Sequence, residues 1–153
     1  MLLLIGFFVL VLIYVGLVSL FAGFFPMAAI LNLPSFILII ATLTFFLIMT
    51  KSGRIIGKYF KSSFKKDYLY SIFELKELTD VIKNIIKFII ATGIVGFITF
   101  VIIALYFLDS PQHLGPNLAM SLTSITYAVA ISYFVFFPVQ VWAENKINEL
   151  NNN

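Results

Sequence analysis

The sequence predicts an all-α membrane protein with four transmembrane helices, and three observations predict it. Of 153 residues, 61% are hydrophobic and 11% are charged, against roughly half and a quarter in a soluble domain. The apolar residues fall into four runs, at about 2–25, 34–50, 88–108 and 117–142, and one helical span needs about 20 mostly apolar residues. Nine of the ten basic residues lie in 51–87, between the second and third runs.

The first run could be mistaken for a secretory signal. A signal needs a basic n-region and a short apolar core, whereas Met1 to Phe25 is long and carries no basic side chain, so a retained span is expected. Pro26 and the turn Asn32-Leu33-Pro34-Ser35 separate it from the second run. Pro34 suits the first turn of a helix, where its missing N–H costs nothing. Residues 1–50 thus form a peripheral pair of spans. The basic segment 51–87 holds Lys51, Arg54, Lys58, Lys61, Lys65 and Lys66 on its first part. From Tyr68 to Ile86 the residues Leu69, Ile72, Phe73, Leu75, Leu78, Val81 and Ile82 recur at the spacing of an amphipathic helix. Ile55 to Phe64 also interleaves apolar and basic residues. Two short helices packing on each other, or lying on anionic lipid, account for this pattern. Residues 88–143 carry the third and fourth spans, joined by the loop Asp109 to Pro116, which lacks Lys and Arg. A polar tail, 144–153, is expected to fray beyond Leu150.

The asymmetry of basic residues places 51–87 in the cytoplasm. Parity then puts both termini on that side and the loops near Pro26 and Asp109 outside.

Composition excludes several classes of chemistry. With no cysteine there is no disulfide, thiolate metal site or cysteine nucleophile. One histidine, His113, cannot build a metal site alone. No acid–base pair or nucleophile constellation stands out, so neither an enzyme nor a cofactor is expected. Basic residues that flank spans point to lipid rather than nucleic acid. No span carries Asp, Glu, Lys, Arg or His, although proton relays at membrane depth usually need such groups. Either the chain moves no ions, or a partner supplies the carboxylate.

The last two spans differ from the first two. The third offers Thr92, Gly96 and Thr99 at i, i+4 and i+7, with Gly93 alongside. In the fourth, Ala119, Thr123, Thr126 and Ala130 make an i, i+4, i+7, i+11 stripe, and Ser124 stands beside it. Small residues let helices approach closely and hydroxyls bond across them. The sharper reading is a polar lining for an ion path. Two greasy spans outside two small-residue spans suggest an oligomer with spans 3 and 4 as its inner ring.

At these residues the chain resembles a known family. The stretch Leu31 to Ile39 resembles the start of the second span in MotA-type flagellar stator proteins. Gly93-Ile94-Val95-Gly96, then Leu108-Asp109-Ser110-Pro111-Gln112-His113-Leu114-Gly115-Pro116-Asn117-Leu118-Ala119, resembles their third span and outer loop. Tyr127 and Phe136-Phe137-Pro138 resemble their fourth span.

The resemblance to the MotA/TolQ/ExbB group implies a homopentameric ring in the bacterial inner membrane. The ring would surround two copies of a MotB/ExbD-like single-span partner, each carrying a membrane aspartate. Ion flow, H⁺ with Na⁺ as the alternative, would drive one ring against the other. Four spans favour the MotA branch, since ExbB and TolQ have three. Thr92, Gly96, Thr99, Thr123, Ser124 and Thr126 would then line the path. Gly93 and Pro116 would shape it, and Pro138 would bend or end the fourth helix and couple the path to the cytoplasmic side. The chain departs from the family at named places. The family's pore threonine falls on Phe97, its Thr-Thr pair on Ser124 and Ile125, and its proline before span 3 on Ile90. The cytoplasmic segment is far shorter than in flagellar stators. A non-conducting assembly protein with the same fold is the alternative.

Overall fold

The computed structural model describes residues 32–63, 69–108 and 111–152. The first predicted span, Lys65 and Lys66 lie outside them. Helix accounts for 92% of the described residues, and none of these is in a strand.

Helix α1 spans Leu33–Met49. It starts where the turn residues lie: the Asn32 side chain accepts a hydrogen bond from the Ser35 amide at 3.3 Å, and proline occupies the first turn. Thr50 ends it, its hydroxyl donating to Phe46 O at 2.8 Å. Lys51 then adopts a left-handed backbone, φ 55°, which costs a non-glycine residue about 1 kcal/mol. That elbow turns the chain by 98° into α2, Ser52–Ser63.

Helix α3 spans Ile72–Tyr106. At 1.5 Å per residue it is about 50 Å long, well beyond a bilayer core of about 30 Å. It merges the amphipathic segment and the third apolar run, which the sequence reading kept apart at 87/88. Charge density changes at that point, but neither glycine nor proline lies between Ile72 and Thr92, and a change in polarity does not break a helix. A full capping box starts α3: Glu74 N donates to Ser71 Oγ, and Ser71 N donates back to the Glu74 carboxylate, both at 3.2 Å.

Helix α4 covers Pro111–Ala130, a π-helical segment Ile131–Phe136 follows, and α5 covers Phe137–Asn151. Most of the expected outer loop is therefore helical. Pro116 lies inside α4 without ending it; the bond it forgoes is to the carbonyl of Gln112, which sits in the first, exposed turn. Pro138, expected to bend or end its helix, does not end it and stands in the first turn of α5, after the π-helical segment. Lacking an N–H, it cannot bond the carbonyl of Phe134. The π-helical segment takes up the mismatch, with Phe137 N bonding Ser132 O.

Among the described residues, two helices are long and apolar enough to cross a membrane, Ile72–Tyr106 and the continuous run Gln112–Asn151, or three if the bent pair α1 and α2 counts as one span. Helices α3 and α4 form the most extensive interface. One apolar core, Ile39, Ile85, Ile89 and Ala128, joins α1, α3 and α4. A second, Leu75, Leu78, Ile82 and Ala143, joins α2, α3 and α5 at the basic end.

Candidate functional site

The polar groups of the spans meet where α1 starts and α3 and α4 cross. Ser35 is the hub. Its side chain is fully buried, its hydroxyl donates to Met120 O at 3.0 Å, and it accepts from Ser124 and Thr123 at 3.1 Å each. Each of those hydroxyls shares its one proton with a carbonyl of its own helix, Ser124 with Met120 O and Thr123 with Ala119 O. Nearby, the Asn32 amide donates to the Tyr127 hydroxyl at 2.9 Å, and the Tyr127 ring meets Phe36 edge-on at 6.0 Å. The cluster is satisfied internally, as buried hydroxyls must be.

Helix α3 reaches this cluster through glycine. A Cβ on Gly93 would stand 2.3 Å from Ala128 Cβ and 3.2 Å from Ser124 O. One on Gly96 would stand 2.9 Å from Leu38 Cδ2 and 3.2 Å from Ser124 Cβ. The backbones are therefore as close as the side chains permit.

These contacts divide the predicted path residues. Gly93, Gly96 and Ser124 are buried at the helix junction. Ser124, 0% exposed within one chain, braces the spans. Thr123 is half-buried on the same junction. Thr92 is half-buried, and its hydroxyl is spent on Phe88 O at 3.0 Å. Thr99 and Thr126 are exposed; Thr126 donates only to Leu122 O in its own helix at 2.9 Å. Thr99 lies among the exposed Val95, Ile98, Ile102 and Tyr106, and Thr126 among Leu122, Val129 and Tyr133. The small-residue stripe that packs in α4 is Asn117, Ser121, Ser124, Ala128 and onward to Ser132, not the neighbouring stripe through Ala119, Thr123, Thr126 and Ala130. Both stripes are small in sequence. The packing partner, Gly93 and Gly96, selects between them.

Ser132 closes the buried stripe inside the π-helical segment. Its hydroxyl is buried and has no partner among the described residues. A buried hydroxyl without a partner costs about 1–3 kcal/mol. Ser132→Ala is therefore expected to raise stability by about 1 kcal/mol in a thermal melt; a fall in stability would mean that the hydroxyl makes a bond that counts.

The basic end is a second polar centre. Lys58 pairs with Glu74 at 2.6 Å and Lys83 with Glu144 at 2.9 Å. Tyr59 of α2, Tyr70 and Trp142 meet in tilted and edge-on contacts at centroid distances of 5.4–6.2 Å, and Ser62 and Tyr70 hydroxyls lie 2.9 Å apart. Burial, then the neighbouring Tyr70, push the Tyr59 phenol above its usual range. Glu74 serves both the cap of α3 and the tie to α2. Glu74→Ala is expected to cost about 1 kcal/mol, most of it from the cap because the ion pair is exposed. Glu74→Gln, which keeps the cap, is expected to cost less than half of that, measured by the melt of Trp142 fluorescence.

Sequence reasoning missed the Ser35 hub and the aromatic trio. Ser35 reads as a turn residue, and its bonding partners lie 85 to 89 positions away. The one tryptophan near a span end was the available signal for the trio. His113 is exposed, its ring 5.4 Å from Phe107. Among the described residues no three His, Asp or Glu side chains gather as a metal site would need. No family model matches the chain, and no curated protein or solved structure matches it either.

Proposed function

We propose that this chain is the ring-forming subunit of an ion-driven membrane motor of the MotA/TolQ/ExbB type. In this reading four spans cross the bacterial inner membrane with both termini and the 51–87 segment in the cytoplasm. Five copies surround a pair of single-span partners, each bringing a membrane aspartate, and H⁺ or Na⁺ flow past those carboxylates does mechanical work. The observation that carries the reading is the division of the hydroxyls. Those buried at the junction are used up inside one chain. Thr99 and Thr126 stay exposed on α3 and α4, where they are available to a path outside the single chain, against another copy or the partner helices. The charge-free spans require the titratable group to come from outside. The short basic segment leaves little chain with which to push on a flagellar rotor, so the force is applied elsewhere.

The non-conducting alternative draws on Phe97, which stands where the family has its pore threonine, and on Ser124, which is committed to Ser35. Co-expression with a candidate partner, purification, and ion flux in proteoliposomes decide between them. Conduction predicts flux that vanishes when the partner's aspartate becomes asparagine. A verified complex of five and two that passes no ions would establish the scaffold.

A further inference from the structure

The first part of the basic segment is built to lie along a bilayer surface. Helix α2 leaves α1 at 98°, so if α1 crosses the membrane, α2 runs parallel to its face. It starts at Ser52, just after Lys51, which is the first charged side chain after a charge-free stretch that reaches back to residue 1; with α1 across the membrane, that position falls at the depth of the headgroups. Within α2, Arg54, Lys58 and Lys61 follow one another at i, i+4 and i+7, which is one stripe of a helix, and Lys51 stands at the elbow just before it. No acidic residue occurs in 51–66. Ile55, Ile56 and Tyr59 take another side and pack on the two cores, which leaves Lys51, Arg54 and Lys61 exposed. Phe60, 59% exposed, adds an apolar foot beside them. Lys58 is tied to Glu74; none of the three ion pairs among the described residues uses Lys51, Arg54 or Lys61. The aromatic trio that includes Tyr59 of α2 has the composition of an interfacial belt.

We infer that α2 is an interfacial helix that binds the headgroups of anionic phospholipids through Lys51, Arg54 and Lys61. It thereby holds the elbow at residues 50–51 and couples the bundle to the charge of the surrounding leaflet. The inference rests on α1 crossing a bilayer and is independent of ion conduction.

The chain has no cysteine, and a Cβ on Gly57 meets nothing within 4 Å, so Gly57→Cys takes a spin label beside the stripe without disturbing the fold. The full chain, in neutral detergent, is titrated with phosphatidylglycerol or phosphatidylcholine while label mobility is followed. Phosphatidylglycerol is expected to immobilise the label, and phosphatidylcholine is not. Lys51→Gln, Arg54→Gln and Lys61→Gln are each expected to weaken the apparent affinity about fivefold, and together about a hundredfold. High salt should abolish the preference in the unsubstituted helix. Trp142 emission reports whether α2 stays docked in the glutamine variants. The charge-conserving Lys51→Arg, Arg54→Lys and Lys61→Arg changes should keep the response. Equal responses to the two lipids would overturn the inference. So would a response to free glycerol phosphate or to polyaspartate that matches the one to phosphatidylglycerol.

Discussion

Gly93→Leu is expected to leave no folded protein, and Gly93→Ala to lose about 2 kcal/mol of stability. The reason is geometric. The added Cβ would lie 2.3 Å from Ala128 Cβ, where carbon atoms favour about 3.5–4.0 Å, and the next neighbours are the Ser124 carbonyl at 3.2 Å and Ile125 Cα at 3.5 Å. Ala128 has no rotamer to change and the other two are backbone, so α3 and α4 must move apart. Overpacking of this kind costs about 1–3 kcal/mol, sometimes more, and alanine's better helix propensity returns about 1. Moving the helices apart also weakens the bonds of Ser124 and Thr123 to Ser35, which raises the total. Gly96→Ala should cost clearly less. Its nearest clash, at 2.9 Å, is with the tip of the Leu38 side chain, which can swing away. Ala128→Gly should partly rescue Gly93→Ala, so that the double variant loses less than the sum of the single losses. Thermal melts of the four proteins in detergent measure the coupling, and strict additivity would mean that the two positions do not touch.

Thr126→Val and Thr99→Val are expected to lower ion flux at least tenfold with stability unchanged within about 0.5 kcal/mol. Valine has nearly threonine's shape, and both positions are exposed on their helices, where substitutions move stability little. The single bond lost at Thr126 is to Leu122 O in its own turn. In a path outside the single chain, however, these hydroxyls would be the polar footholds in an otherwise apolar wall of valine, isoleucine, leucine and tyrosine. Removing one while the water-filled stretch stays narrow raises the barrier by about 1.4 kcal/mol or more, a factor of ten. Ser124→Ala should do the reverse. It loses a buried interhelical bond, worth about 0.6 kcal/mol on average in a membrane, and leaves flux per folded complex unchanged. On the scaffold reading, neither threonine substitution changes anything that can be measured in the membrane.

Hydropathy carried the all-helical class and the positions of the apolar runs, because a span is a property of composition over about 20 residues. The start of α1 was also legible, since Asn32 and Pro34 mark it by local chemistry. Element ends were less so. The 87/88 boundary was drawn where charge stops, but a 35-residue helix runs through it because nothing in the chain interrupts the backbone bonds. Pro116 read as part of the outer loop and Pro138 as a bend or an end of its helix. One falls in a first turn whose carbonyl faces water, and the other follows a π-helical segment that absorbs the missing bond. For the site, residue types were visible and faces were not. Every position from Ala119 to Ser132 that carries a small or hydroxylated side chain is a candidate for both packing and lining. Only the approach of Gly93 and Gly96 tells Ser124 from Thr126. Ser35 could not be found at all, because its role depends on contacts between α1 and α4 that no local pattern encodes.

If ions pass along the exposed faces of Thr99 and Thr126, outside the single chain, while Ser124 is sealed inside it, water reaches the first two side chains and not the third. The absence of cysteine allows it to be measured directly. Thr99→Cys, Thr126→Cys and Ser124→Cys chains are assembled in native membranes with their partner and exposed to a small, charged, water-soluble thiol reagent. The account predicts modification at positions 99 and 126 and none at 124. Modification at 124, or none at 99 and 126, would contradict it.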